Sequence, residues 1–385
     1  MINFARGHPN PALLPIDAMK EALDLFKEQG DFLSYLNYPP KDNGNEEFLQ
    51  RLSIFLGQHT EHDDYGEVTP CDSNDFFASH GVSHALDLLC GTLTQPGDIV
   101  GMEVPTYFLV GSIFENHGLE LQPLPMKEYM LDVEKMAEML DRGEMKIPRM
   151  IYTIPTNHNP TASTLPVEDR ILLAQLATKY DIIVVADEVY HLLDWSVKRP
   201  ARMATFNSAD NATGGCCVSV SSFTKIFCPG VRCGWIEGPP RVISAVEQYG
   251  YIQSQGGCVP FIGELMRLVL ESGLATKVLT NLREAYQHRA NLLCDILEEV
   301  NIPVCVRPTG GYFLWIELPV NNVTEFAEYC LDRDIKFLPG RSCDPFEGQE
   351  CAQYGRLCFA DLPLSDLEEG ARKLGGLLNA YQSDR

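Results

Sequence analysis

Positive charge is scarce in this chain. Of 385 residues, 30 are Lys or Arg against 53 Asp or Glu, a net charge of −23 at pH 7. That balance argues against nucleic acid, whose phosphates need a basic patch, and against anionic membrane surfaces. Long apolar runs are missing too, so no membrane span is expected. The opening residues, Met1 to Gly7, have neither a basic n-region nor a hydrophobic core, so no signal peptide is expected. Paired cysteine motifs are absent. The 13 cysteines are odd in number and none has C-x-x-C spacing. Cys90, Cys217, Cys294, Cys330 and Cys358 sit in apolar runs and read as reduced core thiols of a cytoplasmic protein. His59-x-x-His62-Asp63-Asp64 suggests a metal by spacing, but it lies in an acidic loop without a further ligand nearby and reads as a solvated turn. There is no internal repeat and no low-complexity tract.

What is present is ordinary globular composition, 45% hydrophobic and 22% charged, on a chain long enough for a large domain plus a smaller one. Ile16, Met19, Leu23 and Phe26 repeat at helical period up to Gly30, and Phe48, Leu52 and Phe55 mark a second helix. Between them, residues 36–44 form a turn-rich loop. From Asp75 the texture alternates. Strands are expected at 76–78, 98–104, 119–124, 149–154, 182–186, 217–221 and 231–236. Helices are expected through Leu86 to Leu93, from near Pro105, over 136–140 and over 166–179. Ile182 to Ala186 is continuously apolar, as in a parallel sheet buried on both faces. The pattern predicts a doubly wound α/β domain. After Pro240 the chain turns helical, with one long helix from about 274. A smaller α+β unit follows, with strands near 303–307, 312–318 and 355–360 and helices near 323–332 and 364–380.

The stretch Ser221-Ser222-Phe223-Thr224-Lys225 to Trp235 stands out. It runs from a buried strand into hydroxyls, one lysine, a Pro-Gly turn and Arg232. A desolvated ammonium is costly unless its pKa falls or chemistry uses it. The usual use is as an amine nucleophile toward a carbonyl or pyridoxal phosphate (PLP); a solvated loop lysine is the plain alternative. Ligands of open α/β sheets sit outside the carboxyl ends of strands, where the other candidates fall. Gly81-Val82-Ser83-His84 opens a helix, whose N–H groups suit an anion, or Ser83 is a simple N-cap. Tyr107 can stack on a planar ring or merely pack. Asn159 before Pro160 is a candidate amide or a turn residue. Asp187 ends the most apolar strand and needs a cationic partner or several hydrogen bonds, and Tyr190 follows it.

Each signal is weak alone, but Asn159, Asp187 and Lys225 follow three strands in turn. With Asn159-Pro160-Thr161, Asp187-Glu188-Val189-Tyr190, Ser222-x-x-Lys225 and Pro229-Gly230-x-Arg232-x-Gly234-Trp235 in this order, the chain resembles a fold-type I PLP-dependent aminotransferase of class I/II. Within that group it is most similar to the 2-aminoadipate/kynurenine aminotransferase branch, from Phe4-Ala5-Arg6-Gly7-His8-Pro9 to Gly355-Arg356-Leu357. The resemblance implies a large doubly wound mixed or parallel sheet domain (46–275), a smaller C-terminal α+β domain (276–385) and an N-terminal segment (1–45) closing over the site.

The same resemblance implies roles. Lys225 holds PLP as a Schiff base (an internal aldimine) and, once released, shuttles the Cα proton. Asp187 keeps the ring nitrogen protonated, Asn159 and Tyr190 bond the ring oxygen, and Tyr107 stacks on the ring. Ser83, His84, Ser222, Thr224 and Arg232 bind the phosphate. Arg356 pairs with the substrate α-carboxylate, near Gly7 and Asn159. Tyr38 reaches the neighbouring subunit's cofactor, which implies a homodimer with shared sites. The reaction expected is transfer of an amino group between an L-amino acid and a 2-oxo acid. A β-eliminating C–S lyase, a decarboxylase and a cyclising enzyme are alternatives on the same fold. A ligand-sensing regulator is disfavoured by the acidic charge and by the lack of a winged helix before the motif region. Three departures stand out: Ala162 follows Asn-Pro-Thr where Gly is usual, Arg6 precedes Gly7, and His84 in the phosphate turn is bulkier than usual, its contact being expected largely through the backbone. Arg6 reads as a solvated charge, or as the partner of a distal substrate carboxylate.

Overall fold

The computed structural model describes residues 1–30, 32–38, 41–59, 72–207, 215–257 and 260–383. His62, Asp63 and Asp64 of the metal-like spacing, Pro39 and Pro40 of the early loop, and Cys258 lie outside the described residues.

Seven strands form the main sheet: β1 (Phe76–Ser79), β2 (Ile99–Met102), β3 (Glu120–Pro123), β4 (Met150–Thr153), β5 (Ile183–Asp187), β6 (Cys217–Ser222) and β7 (Gly234–Glu237). Their spatial order is β1-β7-β6-β5-β4-β2-β3. Only β7 runs antiparallel to its neighbours. The carboxyl ends of the other six therefore share one edge of the sheet. β5 shows why the sheet is legible. Ile183 and Val185 pack into one apolar cluster with Leu86, whereas Val184 and Ala186 pack into another with Leu173. Alternate side chains serve opposite faces, and both faces are covered, so no polar face interrupts the run.

The helices are α1 (Ile16–Gln29), α2 (Glu46–Gln58), α3 (Val82–Leu93), α4 (Val167–Tyr180), α5 (Phe223–Ile226), α6 (Pro260–Glu271) and α7 (Leu274–Glu299), with further ones at Val133–Arg142, Val323–Leu331 and Leu364–Ser383. Asn45 caps α2, its side chain accepting from Phe48 N. A smaller sheet of Phe313–Glu317, Tyr354–Cys358 and Leu338–Pro339 packs with α7 and the C-terminal helix around Leu314, Ile316 and Leu357. The N-terminus joins this unit, as Ile2–Asn3 pairs in parallel with Ile335–Lys336 and Phe4 is fully buried. None of the helices, among the described residues, is long and apolar enough to cross a membrane.

The differences from expectation have local causes. No strand forms at 303–307; Val304 makes a single bridge to Ile316. Pro303 and Pro308 bracket that run, and neither can donate to a ladder. The last strand of the main sheet starts at Gly234, not Val231, because Pro229–Val231 is a 3₁₀ turn and Arg232 adopts a left-handed φ of 47°. Near Pro105 the helix is delayed: a 3₁₀ turn at Phe108–Val110 leads into a short helix, Gly111–Asn116. In α1, Ala22 and Phe26 are buried but Ile16 and Leu23 are exposed, because the contact with α6 is made through Phe26 on Phe261, at 4.6 Å between centroids.

Candidate active site

One cavity of about 390 Å³ opens where the strand ends of the main sheet meet the N-terminal segment and the smaller sheet. Gly7, Ser83, Tyr107, Asn159, Asp187, Tyr190, Ser222, Thr224, Lys225, Arg232 and Arg356 all line it. Two of the expected residues do not. Tyr38 lies outside it, 78% exposed. The His84 imidazole packs away from the lining: its Nδ1 accepts from His80 N at 3.1 Å, and burial drives its pKa down to about 4. What His84 offers an anion is its main-chain N–H in the first turn of α3, where helical N–H groups lack partners.

One side of the cavity is an anion cup. α3 begins at Gly81 with φ +100° and no side-chain cap. A Cβ on Gly81 would stand 3.0 Å from Arg232 Nη2. Glycine is therefore needed twice there, for the backbone turn and for room. Arg232 is held by donating to His80 O at 3.0 Å and Pro229 O at 3.4 Å. Ser222 Oγ accepts from Thr224 N at 3.3 Å and caps α5. Close packing of β7 also matters, since a Cβ on Gly234 would meet Ser221 O at 2.6 Å.

Deeper, Asp187 ends β5 and is buried. Its Oδ2 accepts from Tyr152 Oη at 2.9 Å and its Oδ1 from Val189 N at 3.4 Å. Burial nevertheless pushes its carboxyl up to about 6, against the pull of Tyr152, Val189 and Lys225. Among the described residues it makes no ion pair, and a protonated ring nitrogen would supply one. Tyr152 was missed in the sequence. The available signal was a phenol inside a wholly buried strand, which has to find a polar partner. The buried Tyr190 phenol is held well above its usual pKa, first by burial. Burial also raises that of Tyr107, followed by the charge of Asp187.

Lys225 Nζ donates to Gly7 O at 3.0 Å, which directs the amine at the N-terminal segment. Burial pulls its pKa down to about 8, with Arg356 acting in the same direction and Cys358 and Asp187 opposing. Arg356 lies buried with its guanidinium 4.0 Å over the Phe313 ring. It donates to Asn159 Oδ1 at 3.0 Å and to Ala5 O at 2.8 Å, and its buried Nε has no partner. Gly7 is compressed against Phe313; a Cβ there would stand 2.7 Å from Cζ. Arg6 points elsewhere, donating to His8 Nδ1 at 3.2 Å with Asp361 at 3.9 Å.

The loop carrying Asn159 is fixed by two buried carboxylates. Glu103 accepts from Thr153 Oγ1 at 3.0 Å and Ile154 N at 2.9 Å. Asp194 accepts from Asn157 Nδ2 at 3.0 Å and Thr309 Oγ1 at 2.9 Å. Sequence reasoning found neither anchor.

These residues fit a planar phosphorylated aldehyde. The groups around Gly81 and Arg232 would meet the phosphate, Asp187 a protonated ring nitrogen, and the amine of Lys225 the carbonyl carbon. The uncommitted Nε of Arg356 suits a carboxylate. The comparisons agree. The chain is 28% identical to aromatic-amino-acid aminotransferase 1 of Thermococcus litoralis, over 97% of this chain and 87% of that one. It is 26% identical to the 2-aminoadipate transaminase of Thermus thermophilus, over 98% and 90%. It superposes on the kynurenine aminotransferase of Pyrococcus horikoshii, solved in complex with PMP, with a TM-score of 0.86 and 25% identity, covering 99% of this chain and 91% of that one. The family model for class I and II aminotransferases matches residues 1–374, and with the cavity so furnished the chain belongs to that family, as an aminotransferase that works with pyridoxal 5′-phosphate.

Proposed function

We propose that the chain moves an amino group between an L-amino acid and a 2-oxo acid with Lys225 as the amine nucleophile and proton carrier. The observation that carries this is the Lys225 amine, lowered to about 8 and lining the same cavity as Asp187, Arg232 and Arg356. Bound PLP supplies a ring that takes up the electron pair left when the substrate Cα–H bond breaks. Arg232 holds the phosphate with the hydroxyls of Ser83, Ser222 and Thr224 and the first-turn N–H groups of Ser83 and His84. Asp187 retains a proton on the ring nitrogen. Asn159 and Tyr190 hydrogen-bond the ring oxygen, and Tyr107 covers the ring face. Arg356 binds the substrate α-carboxylate beside Gly7, with Asn159 fixing the guanidinium. Lys225 Nζ would take the proton from Cα and deliver it to C4′ of the cofactor; a pKa near the working pH suits both steps.

Residues 1–45 serve as a segment that closes the site, 46–275 as the cofactor-binding domain and 276–385 as the small domain. Leu33, Leu36 and Tyr38 are 82%, 76% and 78% exposed, which supports a second copy covering this segment in a homodimer, with Tyr38 at the partner's cofactor. Cys90, Cys217, Cys294, Cys330 and Cys358 are free thiols, in keeping with a reducing, cytoplasmic setting.

The test is a single half-reaction. Amino donor added without acceptor should release one equivalent of 2-oxo acid and leave the cofactor aminated, read by absorbance. Continuous release of pyruvate and ammonia would instead mean elimination.

A further inference from the structure

Tyr312 does not line the cavity, yet it touches the nucleophile at two points. Its hydroxyl donates to the main-chain carbonyl of Lys225 at 3.2 Å. Its ring centroid lies 4.8 Å from Lys225 Nζ, nearer than the Tyr190 ring at 6.0 Å. One side chain thus holds both ends of the lysine. It is itself immobilised. Gly311, at φ +74°, delivers it to the start of the small sheet, and Phe359 N donates to its carbonyl at 2.9 Å. Tyr286 donates its hydroxyl to that of Tyr312 at 3.3 Å, and the two rings lie 5.0 Å apart at 59°. Tyr312 is 1% exposed, so the ring keeps its place without help from ligand or solvent.

We propose that Tyr312 is a positioning residue for Lys225, fixing the lysine main chain with its hydroxyl and receiving the free amine against its ring. The need is physical. A lysine that alternates between attached and free states needs a place for the freed ammonium, and this one is largely out of water. A ring face attracts a cation most when both are desolvated. Gly7 O supplies the hydrogen bond and Tyr312 the quadrupole. The charged and titratable groups around the amine are Asp187, Cys358, Arg356 and His8, besides Tyr190 and Tyr312.

The proposal rests on Lys225 as the nucleophile, and that reading has its own test: cofactor absorption should be lost in Lys225→Ala. For Tyr312 the full chain is freed of cofactor and labelled with trace acetic anhydride across pH. Lys225 acetylation is read by peptide mass spectrometry, with the surface lysines as internal standards. In Tyr312→Leu the labelling midpoint of Lys225 should fall by roughly half a pH unit or more, because the ammonium loses its π partner. In Tyr312→Phe the midpoint should hold, while kcat of the holoenzyme drops roughly three- to tenfold through the lost anchor on the Lys225 carbonyl. An unchanged midpoint in folded Tyr312→Leu overturns the proposal. So does a midpoint that falls equally in Tyr312→Phe. If Tyr312→Leu does not fold, Tyr312→Met, nearer in volume, is read in the same way.

Discussion

Arg356 Nη1 donates to Asn159 Oδ1 at 3.0 Å, across 197 residues of chain. The bond joins the loop after β4 to the small sheet and couples the amide proposed to contact the cofactor to the guanidinium proposed to bind the substrate carboxylate. In Asn159→Ala the guanidinium loses an accepting partner while remaining buried. KM for the amino substrate should rise about tenfold, in line with a charge-assisted hydrogen bond of about 1.5–3 kcal/mol. A double-mutant cycle with Arg356→Lys, read on kcat/KM, should be strongly non-additive. Additive losses would mean that the two residues act separately.

Asp187 is a buried carboxylate that disfavours the unliganded protein. Its folded pKa of about 6 lies above its ordinary value of 3.8. The folded state therefore holds this proton more tightly than the unfolded chain does. Stability from this group is present at low pH and is lost as pH rises from about 4 through 6. In the cofactor-free protein, Asp187→Asn should raise stability by about 2 kcal/mol at pH 7, and by less at pH 5. Denaturant melts at both values check this. Cofactor affinity of the same variant should fall, because the ring nitrogen loses its anion.

Tyr152→Phe tests the phenol that the sequence did not reveal as functional. The Tyr152 hydrogen bond lowers the Asp187 pKa, so its removal raises it further. Activity that needs ionised Asp187 should then lose its acidic limb at a higher pH, with kcat about tenfold lower near pH 6 and recovering as pH rises. A parallel drop at all pH values would mean that Tyr152 only packs.

Glycine at 81 can be separated from glycine in general. Gly81 and Gly97 both have positive φ, 100° and 90°, but a Cβ at Gly97 would meet nothing within 4 Å. Alanine at either position costs about 1–2 kcal/mol of backbone strain. Only Gly81→Ala should also weaken cofactor binding, by more than tenfold, because it displaces Arg232. Equal cofactor affinities in the two variants would remove Arg232 from the phosphate cup.

What the sequence made legible follows from how local each signal is. β5 could be read because its four apolar side chains, Ile183 to Ala186, are buried in a row, and Asp187 because it follows them directly. The Gly81–Ser83 and Ser222–Thr224 segments were also readable, since each is set by a single turn. Tyr152 on Asp187 and Tyr312 on Lys225 span 35 and 87 residues. Such pairs depend on strand register and on docking of the small sheet, which no periodicity encodes. The His84 ring turns back within one helical turn onto His80, which leaves its main chain for the phosphate contact that the resemblance implied.

Arg6 remains the one cation near the cavity whose role turns on substrate chemistry. Its side chain is 59% exposed, it donates to His8, and Asp361 at 3.9 Å offsets its charge. An exposed pair of this kind contributes little, about 0–1 kcal/mol. Arg6 is not among the residues lining the cavity, and its Nε is already engaged by His8 and opposed by Asp361. Arg6→Ala should therefore change kcat/KM by less than about threefold, and equally for an acidic amino acid and an apolar one. A loss confined to the acidic substrate would show that Arg6 leaves Asp361 and turns into the cavity. In that case Asp361→Asn, which frees the guanidinium, should improve the same substrate selectively.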